Sequence, residues 1–170
     1  MQFDCRHCGA RIRMMGGVVC CPNNCKDPFP EPPAWSPGKL ACPCCGECDL
    51  DHRLLPALVM LAIKAAPAQI EVISGYRCEK FNARAKGVSK LAHIDGRACD
   101  LKITGLTLDE MYLLARSVPE FEAGGIGLND DGSMHVDVRV FPARWGRVEG
   151  KYVGIAASKL LGRNHHAETK

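Results

Sequence analysis

Two short segments of this chain, CDLKI and MHVDVRV, alternate between apolar and polar residues. A period of two is typical of a β-strand with one buried face, because successive side chains point to opposite sides of a sheet. The predicted core face consists of Cys99, Leu101, Ile103, Met134, Val136, Val138 and Val140. The opposite face carries Asp100 in the first segment and His135, Asp137 and Arg139 in the second. Both strands are therefore predicted to bring ionisable side chains to one face of a sheet.

A further ionisable residue, His93, precedes the first strand in the segment HIDGRACD. Gly96 permits a tight turn, so that a histidine in a loop and an aspartate in a strand can reach the same ion. Two imidazoles and a carboxylate, from His93, Asp100 and His135, are a ligand set for zinc with an open fourth position for a reactive water. The pattern thus predicts a metal-dependent hydrolase. Asp137 either addresses that water or supports a ligand from behind, and the spacing leaves both roles open.

Nine of the eleven cysteines lie before residue 50. In a reducing compartment such crowding indicates metal thiolates more than disulfides. The candidates for a structural metal or a disulfide are Cys5, Cys8, Cys20, Cys21, Cys25, Cys42, Cys44, Cys45, Cys48 and Cys78. Cys5-x-x-Cys8 predicts one knuckle of a zinc-bound element, but the surplus of partners leaves the pairing open, with disulfides and free thiols as alternatives. Cys78 is a candidate partner of Cys44 or Cys45, as a clip or in a shared metal site.

Prolines and glycines divide the 170 residues into three parts. We predict a Cys- and Pro-rich extension over residues 1–38 with a zinc-ribbon-like element, a catalytic domain over 39–154 and a carboxy-terminal tail over 155–170. A length of 170 residues and a hydrophobic fraction of 46% suffice for one sizeable core but not for two ordinary domains.

Three elements of the central part are readable from local patterns. Residues 51–66 have apolar side chains at helical spacing, which predicts a core helix with Asp51 as N-cap and Pro56 as a local irregularity. Residues 70–73 are typical of a strand. The signal TLDE opens a predicted amphipathic helix over residues 107–118.

Charge and hydropathy limit the partners. A formal net charge of +3 is too small to predict nucleic-acid binding. No run approaches the roughly 18 apolar residues of a membrane helix, and the start MQFDCRHC lacks the pattern of a secretory signal. We therefore expect no membrane span and synthesis in the cytoplasm without a signal peptide. We also expect a monomer.

Five motifs carry a resemblance to a known family. They are SGYRCEKFN from Ser74, HIDGRACD from His93, GGIG from Gly124, HVDVR from His135 and ARWG from Ala143. Together they resemble the zinc D-alanyl-D-alanine carboxypeptidase family, which includes VanX-type dipeptidases, phage endolysin peptidases and murein endopeptidases. The resemblance covers about residues 40–153. It implies the α+β fold of this family and of the hedgehog signalling domain, a small antiparallel sheet flanked by helices, here with a Cys-rich amino-terminal extension.

The resemblance also implies residue roles and a substrate. His93, Asp100 and His135 correspond to the zinc ligands of the family. Arg77, in SGYR, corresponds to the arginine that holds or polarises the substrate carbonyl or carboxylate, with a structural ion pair as its alternative role. The implied reaction is hydrolysis, by metal-activated water, of a peptidoglycan peptide bond that contains D-alanine or lies in the stem peptide.

The chain departs from the family at the general base. Endolysin and VanX types carry a glutamate three residues before the last histidine, where this chain has Gly132. We predict Asp137, in the HxD form of the murein endopeptidase branch, as the general base, with Asp130 or Asp131 as substitutes. The alternative function is a non-catalytic zinc-binding module that recognises a cell-wall or protein partner. Action at the cell wall without an export signal predicts phage-type release or a virion component.

Overall fold

The computed structural model describes most of the chain after residue 38 and a short hairpin before it. The described residues are 13–15, 18–20, 39–84, 90–158 and 160. The chain divides into two compact units, Met1–Pro32 and Pro33–Lys170. In the first unit, β1 (Arg13–Met15) pairs antiparallel with β2 (Val18–Cys20). The predicted zinc knuckle of Cys5 and Cys8 lies outside the described residues. Its candidate partners Cys21 and Cys25 lie outside them as well.

Six strands in the described part of the second unit form one sheet. They are β3 (Ile70–Ser74), β4 (Ala98–Ile103), β5 (Gly125–Asn129), β6 (Met134–Asp137), β7 (Ala143–Val148) and β8 (Lys151–Gly154). Their order across the sheet is β3-β4-β6-β5-β7-β8. The predicted α+β class is confirmed. The sheet is mixed, because β5 and β7 pair parallel while the other described neighbours pair antiparallel.

The main helices cover one face of this sheet. The described helices are α1 (Leu54–Ala65), α2 (Glu79–Arg84), α3 (Lys90–Ile94), α4 (Leu108–Arg116), α5 (Pro119–Ala123) and α6 (Ile155–Ser158). Helix α1 contacts α4 and α5, and α4 contacts β5 and β6. Leu58, Met111 and Phe121 of these three helices are fully buried in the core, where removal of apolar surface from water stabilises the fold. Within the described residues, no helix has the length and apolar character needed to cross a membrane.

The two predicted helix starts have different outcomes. Helix α1 has Arg53 as its N-cap, and the Asp51 carboxylate accepts hydrogen bonds from the Arg53 backbone and guanidinium, so the prediction of Asp51 as N-cap was wrong. Pro56 lies in the first turn, where the backbone N–H has no helical acceptor to lose, and α1 continues without interruption. Helix α4 begins as predicted, because Thr107 and Glu110 form a capping box.

The side chains predicted for the core face of β4 and β6 are buried, with one exception, but the opposite face of β6 is buried as well, at His135 and Asp137. The buried side chains are those of Cys99, Leu101, Ile103, Met134, Val136 and Val138. Val140 was also predicted to face the core, but it is 80% exposed because β6 ends at Asp137. After residue 154, the segment predicted as a tail begins with α6, and Leu160 is buried in the core.

Candidate metal centre

One row of residues crosses the sheet on the face opposite the apolar core. Backbone pairing places five residues of β3, β4, β6, β5 and β7 side by side: Ser74, Asp100, His135, Gly127 and Trp145. Their chain neighbours on β4, β5 and β6 are buried apolar side chains that hold the strands against the core. The polar side chains of the row therefore project from a sheet whose other face is packed against the apolar core.

Three candidate metal ligands converge on this row. His93 lies on α3 and not in a loop as predicted, and its Nε2 lies 3.3 Å from Asp100 Oδ2. His135 Nδ1 lies 2.8 Å from Asp100 Oδ1. One donor atom from each of the three residues lies within 4.8 Å of the other two. Two imidazole nitrogens and one carboxylate oxygen at this spacing fit a zinc ion.

The second nitrogen of each imidazole is held by another group. His93 Nδ1 lies 2.7 Å from the carbonyl oxygen of Gly75, and His135 Nε2 lies 3.1 Å from Asp137 Oδ2. Such partners fix the orientation and tautomer of a metal-binding histidine and leave its other nitrogen free for the ion. Each ring therefore turns a defined nitrogen towards Asp100, Nε2 from His93 and Nδ1 from His135.

Asp137 is fully buried behind His135. Its carboxylate accepts hydrogen bonds from the backbone N–H of Gly125 at 3.1 Å and of Arg139 at 3.0 Å. The Arg139 guanidinium also donates to both oxygens, with Nη2 2.6 Å from Oδ2. A carboxylate that is closed to solvent and bonded on both oxygens is suited to supporting His135 and poorly suited to taking a proton from a water. The geometry thus favours the supporting role over the predicted role as general base.

The electrostatics of the centre follow from these contacts. Burial opposes ionisation of Asp100, but its hydrogen bonds with His135 and His93 hold its pKa well below the usual range. Burial likewise opposes ionisation of Asp137, whose pKa is lowered by its bonds with His135 and Arg139. Burial would lower the pKa of His135, but the two carboxylates raise it to about 9. The site therefore favours positive charge, which a divalent cation supplies.

Arg77 contacts the centre from the turn after β3. Its Nη2 donates to Asp100 Oδ2 at 2.8 Å, and its Nε donates to Ser74 Oγ at 2.8 Å. Its backbone N–H donates to the carbonyl oxygen of His93 at 3.1 Å. This arrangement contains the ion pair considered as the alternative role of Arg77. Contact with a substrate stays a prediction.

The glycines of the GGIG segment make room for the site, a role that the sequence analysis did not identify. A Cβ atom on Gly125 would collide with the Asp137 carboxylate, and one on Gly127 would collide with the Trp145 indole. The Trp145 ring lies 5.3 Å from the His135 ring, measured between centroids. Two glycines at alternate positions of a strand share one face, and this signal was available in the sequence. Trp145 therefore forms a wall beside His135.

A cleft of about 310 Å³ opens beside Asp100. It is lined by Ile73, Asp100, Asn129, Asp130, Asp131, Ser133, Arg147 and Gly150. Asp130 and Asp131, the substitutes considered for the general base, are exposed in the turn between β5 and β6. Gly132 follows them with a φ of +80°, so this position lies in a left-handed turn here.

The second unit contains six cysteines, of which four form a cluster and two lie outside it. Four have sulfur atoms within 4.8 Å of one another: Cys42, Cys44, Cys45 and Cys78. The predicted approach of Cys78 to Cys44 is present, at 3.3 Å between the sulfurs. Cys48 is exposed and outside this cluster. Cys99 is buried in the core, so that its thiol does not complete the histidine and aspartate site.

The comparisons with known proteins give a family. Comparison with the curated proteins found no match, and comparison with the solved structures found none. One family model matches residues 47–145, which is more than half of the chain and contains Arg77, the three candidate metal ligands and Asp137. Peptidases of this M15 type are typically metal-dependent. The chain belongs to the family Peptidase_M15_2, described as peptidoglycan L,D-endopeptidase MepK, and is thus a member of a family of peptidases that act on peptidoglycan.

Proposed function

We propose that this protein is a zinc-dependent endopeptidase that hydrolyses peptide bonds of peptidoglycan. The observation that carries the proposal is the convergence of His93, Asp100 and His135, with the second nitrogen of both rings held by a partner. Three protein donors leave a coordination position for water or substrate, an arrangement typical of catalytic zinc sites. The family supplies the substrate class.

The residues of the chain divide the work around the ion. Bound at these three ligands, zinc supplies Lewis-acid chemistry, which activates water and polarises a peptide carbonyl. Asp137 holds the His135 ring so that Nδ1 is turned towards Asp100. Arg77 orients the Asp100 carboxylate, and we assign to its guanidinium a hydrogen bond to the substrate carbonyl oxygen. Trp145 shields His135 from solvent on one side.

We assign the proton-accepting step to Asp130 or Asp131, in place of Asp137. Both line the cleft that opens beside Asp100, and both are exposed. One oxygen of Asp130 accepts a hydrogen bond from the backbone of Glu149, and one oxygen of Asp131 accepts bonds from Ser133. These bonds fix each carboxylate in its turn. Asp137 lacks the exposure that proton exchange with a bound water requires.

The charges of the cleft favour an endopeptidase over a D-alanine carboxypeptidase. A carboxypeptidase must hold the terminal carboxylate of its substrate, for which a free cation is the usual partner. Among the described residues that line this cleft there are three aspartates, and Arg147 is the one cation. Arg77 already uses Nε and Nη2 for Ser74 and Asp100, so it can add a single hydrogen bond to a carbonyl oxygen but not the two parallel bonds that hold a carboxylate. An internal peptide bond, as in the L,D-endopeptidase description of the family, suits this lining better.

The test uses purified cross-linked muropeptides and the zinc-loaded protein, with products identified by mass spectrometry. We expect conversion of cross-linked dimers to monomers without release of free D-alanine. His93→Ala should abolish conversion, and His52→Ala should not, because His52 is a largely exposed histidine outside the centre. Release of D-alanine alone would identify a carboxypeptidase. An inactive zinc-loaded protein that still binds peptidoglycan would instead support a non-catalytic binding module.

Action on peptidoglycan implies work at the cell wall. We propose that the protein acts there as a monomer. We also propose that it reaches the cell wall by phage-type release or as part of a virion. A size measurement in solution tests the monomer. Detection of the protein in purified phage particles, or in the medium only after lysis, tests the route.

A further inference from the structure

The four-cysteine cluster, Cys42, Cys44, Cys45 and Cys78, lies outside the histidine and aspartate centre and has no part in the proposed hydrolysis. Its Cys44 sulfur lies 3.6 Å from that of Cys42 and 3.3 Å from that of Cys78. In a tetrahedral zinc site with Zn–S bonds near 2.3 Å, neighbouring sulfurs are about 3.8 Å apart. The cluster is therefore already close to the size of such a site.

The connectivity of the cluster also favours an ion over a disulfide. The Cys44 sulfur approaches two partners at once, whereas a disulfide joins only two sulfurs. All four sulfurs converge within 4.8 Å, so that any one disulfide would leave two thiols in contact with it. Four thiolates around one zinc ion satisfy all four groups together and complete its tetrahedral coordination.

The backbone around the cluster is arranged to hold thiolates. The N–H of Cys42 donates to Glu47 O at 2.7 Å, and the N–H of Gly46 donates back to Cys42 O at 2.8 Å, which closes the segment CPCCG into a knuckle. Gly46 has a φ of +75°, a conformation that favours glycine. The N–H of Cys78 donates to Cys42 Sγ at 3.4 Å.

The backbone donors outweigh desolvation at one sulfur. Burial raises the pKa of Cys42, but hydrogen bonds from the backbone of Cys78 and Cys44 lower it to about 6. The contacts with Cys78 and Cys42 raise the pKa of Cys44 to about 12. A backbone N–H that donates to the Cys42 sulfur thus favours its thiolate, which is the form that binds a metal.

We propose that Cys42, Cys44, Cys45 and Cys78 bind one structural zinc ion. The ion joins the knuckle before α1 to the turn after β3, two segments that are 33 residues or more apart in the chain. Tyr76 N–H already donates to Leu40 O across the same junction, at 2.8 Å. No other group of cysteines in the described residues has this geometry.

The joined turn is also part of the histidine and aspartate centre. Its Gly75 carbonyl holds His93, and its Arg77 holds Asp100. Cys78 follows Arg77 directly, so that an ion at the cluster anchors the segment that positions two of the three candidate ligands. The residues of the cluster are therefore positioning residues, since they act on the reaction through Gly75 and Arg77.

The first experiment measures metal in the full chain, purified under reducing conditions. We expect Cys44→Ser and Cys45→Ser each to lose one zinc equivalent relative to the unmodified chain, and Cys48→Ser to lose none. Cys48 is the matched control, because it is an exposed cysteine of the same segment outside the cluster. Metal bound by the cysteines before residue 39 is common to all variants and cancels in the difference. Equal zinc in all four proteins would overturn the proposal.

The second experiment keeps the proposal testable if a serine variant folds poorly. Cys45→His should retain the zinc that Cys45→Ser loses, because zinc accepts three thiolates with one imidazole and Cys45 is exposed enough for a larger ring. Replacement of zinc by cobalt should give thiolate-to-metal charge-transfer absorption that weakens in Cys45→His and persists in His93→Ala. A mass under non-reducing conditions that reveals a disulfide within the cluster, with no loss of zinc in Cys45→Ser, would contradict the proposal.

Discussion

The histidine and aspartate centre and the four-cysteine cluster share the segment Gly75–Cys78 but are built in different ways. The first rests on paired strands, offers three donors and opens into a cleft. The second rests on turns, offers four sulfurs and has three of its residues at least partly exposed. Three donors beside a cleft suit chemistry, whereas four donors suit a closed structural site. The two neighbouring candidate metal sites thus differ in the number of donors and in the elements that carry them.

The largest expected effect separates activity from stability. His93→Ala should reduce peptidoglycan hydrolysis to background, because one of three ligands is lost. Cys44→Ser should lower Tm by at least about 5 °C, since loss of a structural zinc removes a linkage of folding to metal binding. Hydrolysis assays and thermal unfolding on the same preparations measure both.

The comparison breaks if the two variants behave alike. His52→Ala and Cys48→Ser are the matched controls for the two substitutions, and both should keep the activity and Tm of the unmodified chain. A fall in Tm for His93→Ala as large as that for Cys44→Ser would mean that the histidine and aspartate centre is itself structural.

A second prediction concerns Asp137. Asp137→Asn should reduce hydrolysis and zinc affinity together, by roughly 10- to 100-fold, which is the usual effect of removing a partner of a metal-binding histidine. Zinc affinity measured by competition with a chelator distinguishes this role from general-base catalysis. A general base would lose activity with its zinc affinity unchanged, and we expect that result from Asp130→Asn or Asp131→Asn.

A third prediction tests the space provided by the strand glycines. Gly125→Ala should destabilise the protein by about 1–3 kcal/mol, because its Cβ would meet the Asp137 carboxylate in a packed site. Zinc affinity should fall as well, since Asp137 supports His135. Gly105→Ala is the control for the loss of a glycine, as no atom lies near its Cβ position, although its φ of +78° carries a cost of its own. Denaturant unfolding with zinc titration measures both effects. Unchanged zinc affinity in Gly125→Ala would argue against support by Asp137.

The polar face of the site could be predicted from the sequence because the alternation of side chains is a local property of each strand. Alternation along CDLKI and MHVDVRV assigned Asp100 and His135 to one face, and the register of β4 and β6 then set them opposite each other. The same rule failed at Val140, where the strand had already ended at Asp137. Periodicity reports the direction of side chains but not the residue at which backbone pairing stops.

Other features depend on contacts that local patterns do not encode. The role of Asp137 depends on how deeply β6 is buried. It also depends on Arg139, whose guanidinium donates hydrogen bonds to the Asp137 carboxylate. The grouping of Cys78 with the CPCCG knuckle depends on how the turn after β3 packs against residue 40. Because the sequence offers ten candidate cysteines, their spacing alone does not distinguish among many possible pairings.

The smallest expected effect is a pH dependence confined to the histidine and aspartate centre. In the metal-free protein, burial would lower the pKa of His135, but its bonds with Asp100 and Asp137 raise it from 6.5 to about 9. A raised folded-state pKa contributes stability that is fully present below pH 6.5 and is lost as the pH rises through about 9. We expect the free energy of unfolding of the chelator-treated protein to be larger at pH 6 than at pH 10 because of this group. The free energy of unfolding of His135→Gln is measured at both pH values beside that of the unmodified protein. The substitution should remove the contribution of His135 to the difference between pH 6 and pH 10, while the titration of the thiols is unchanged. An equal loss of stability in both would place the pH dependence elsewhere, for example in the cysteine cluster. Zinc should bind the unmodified centre more tightly as the pH rises, because His135 must release its proton to donate a nitrogen to the ion.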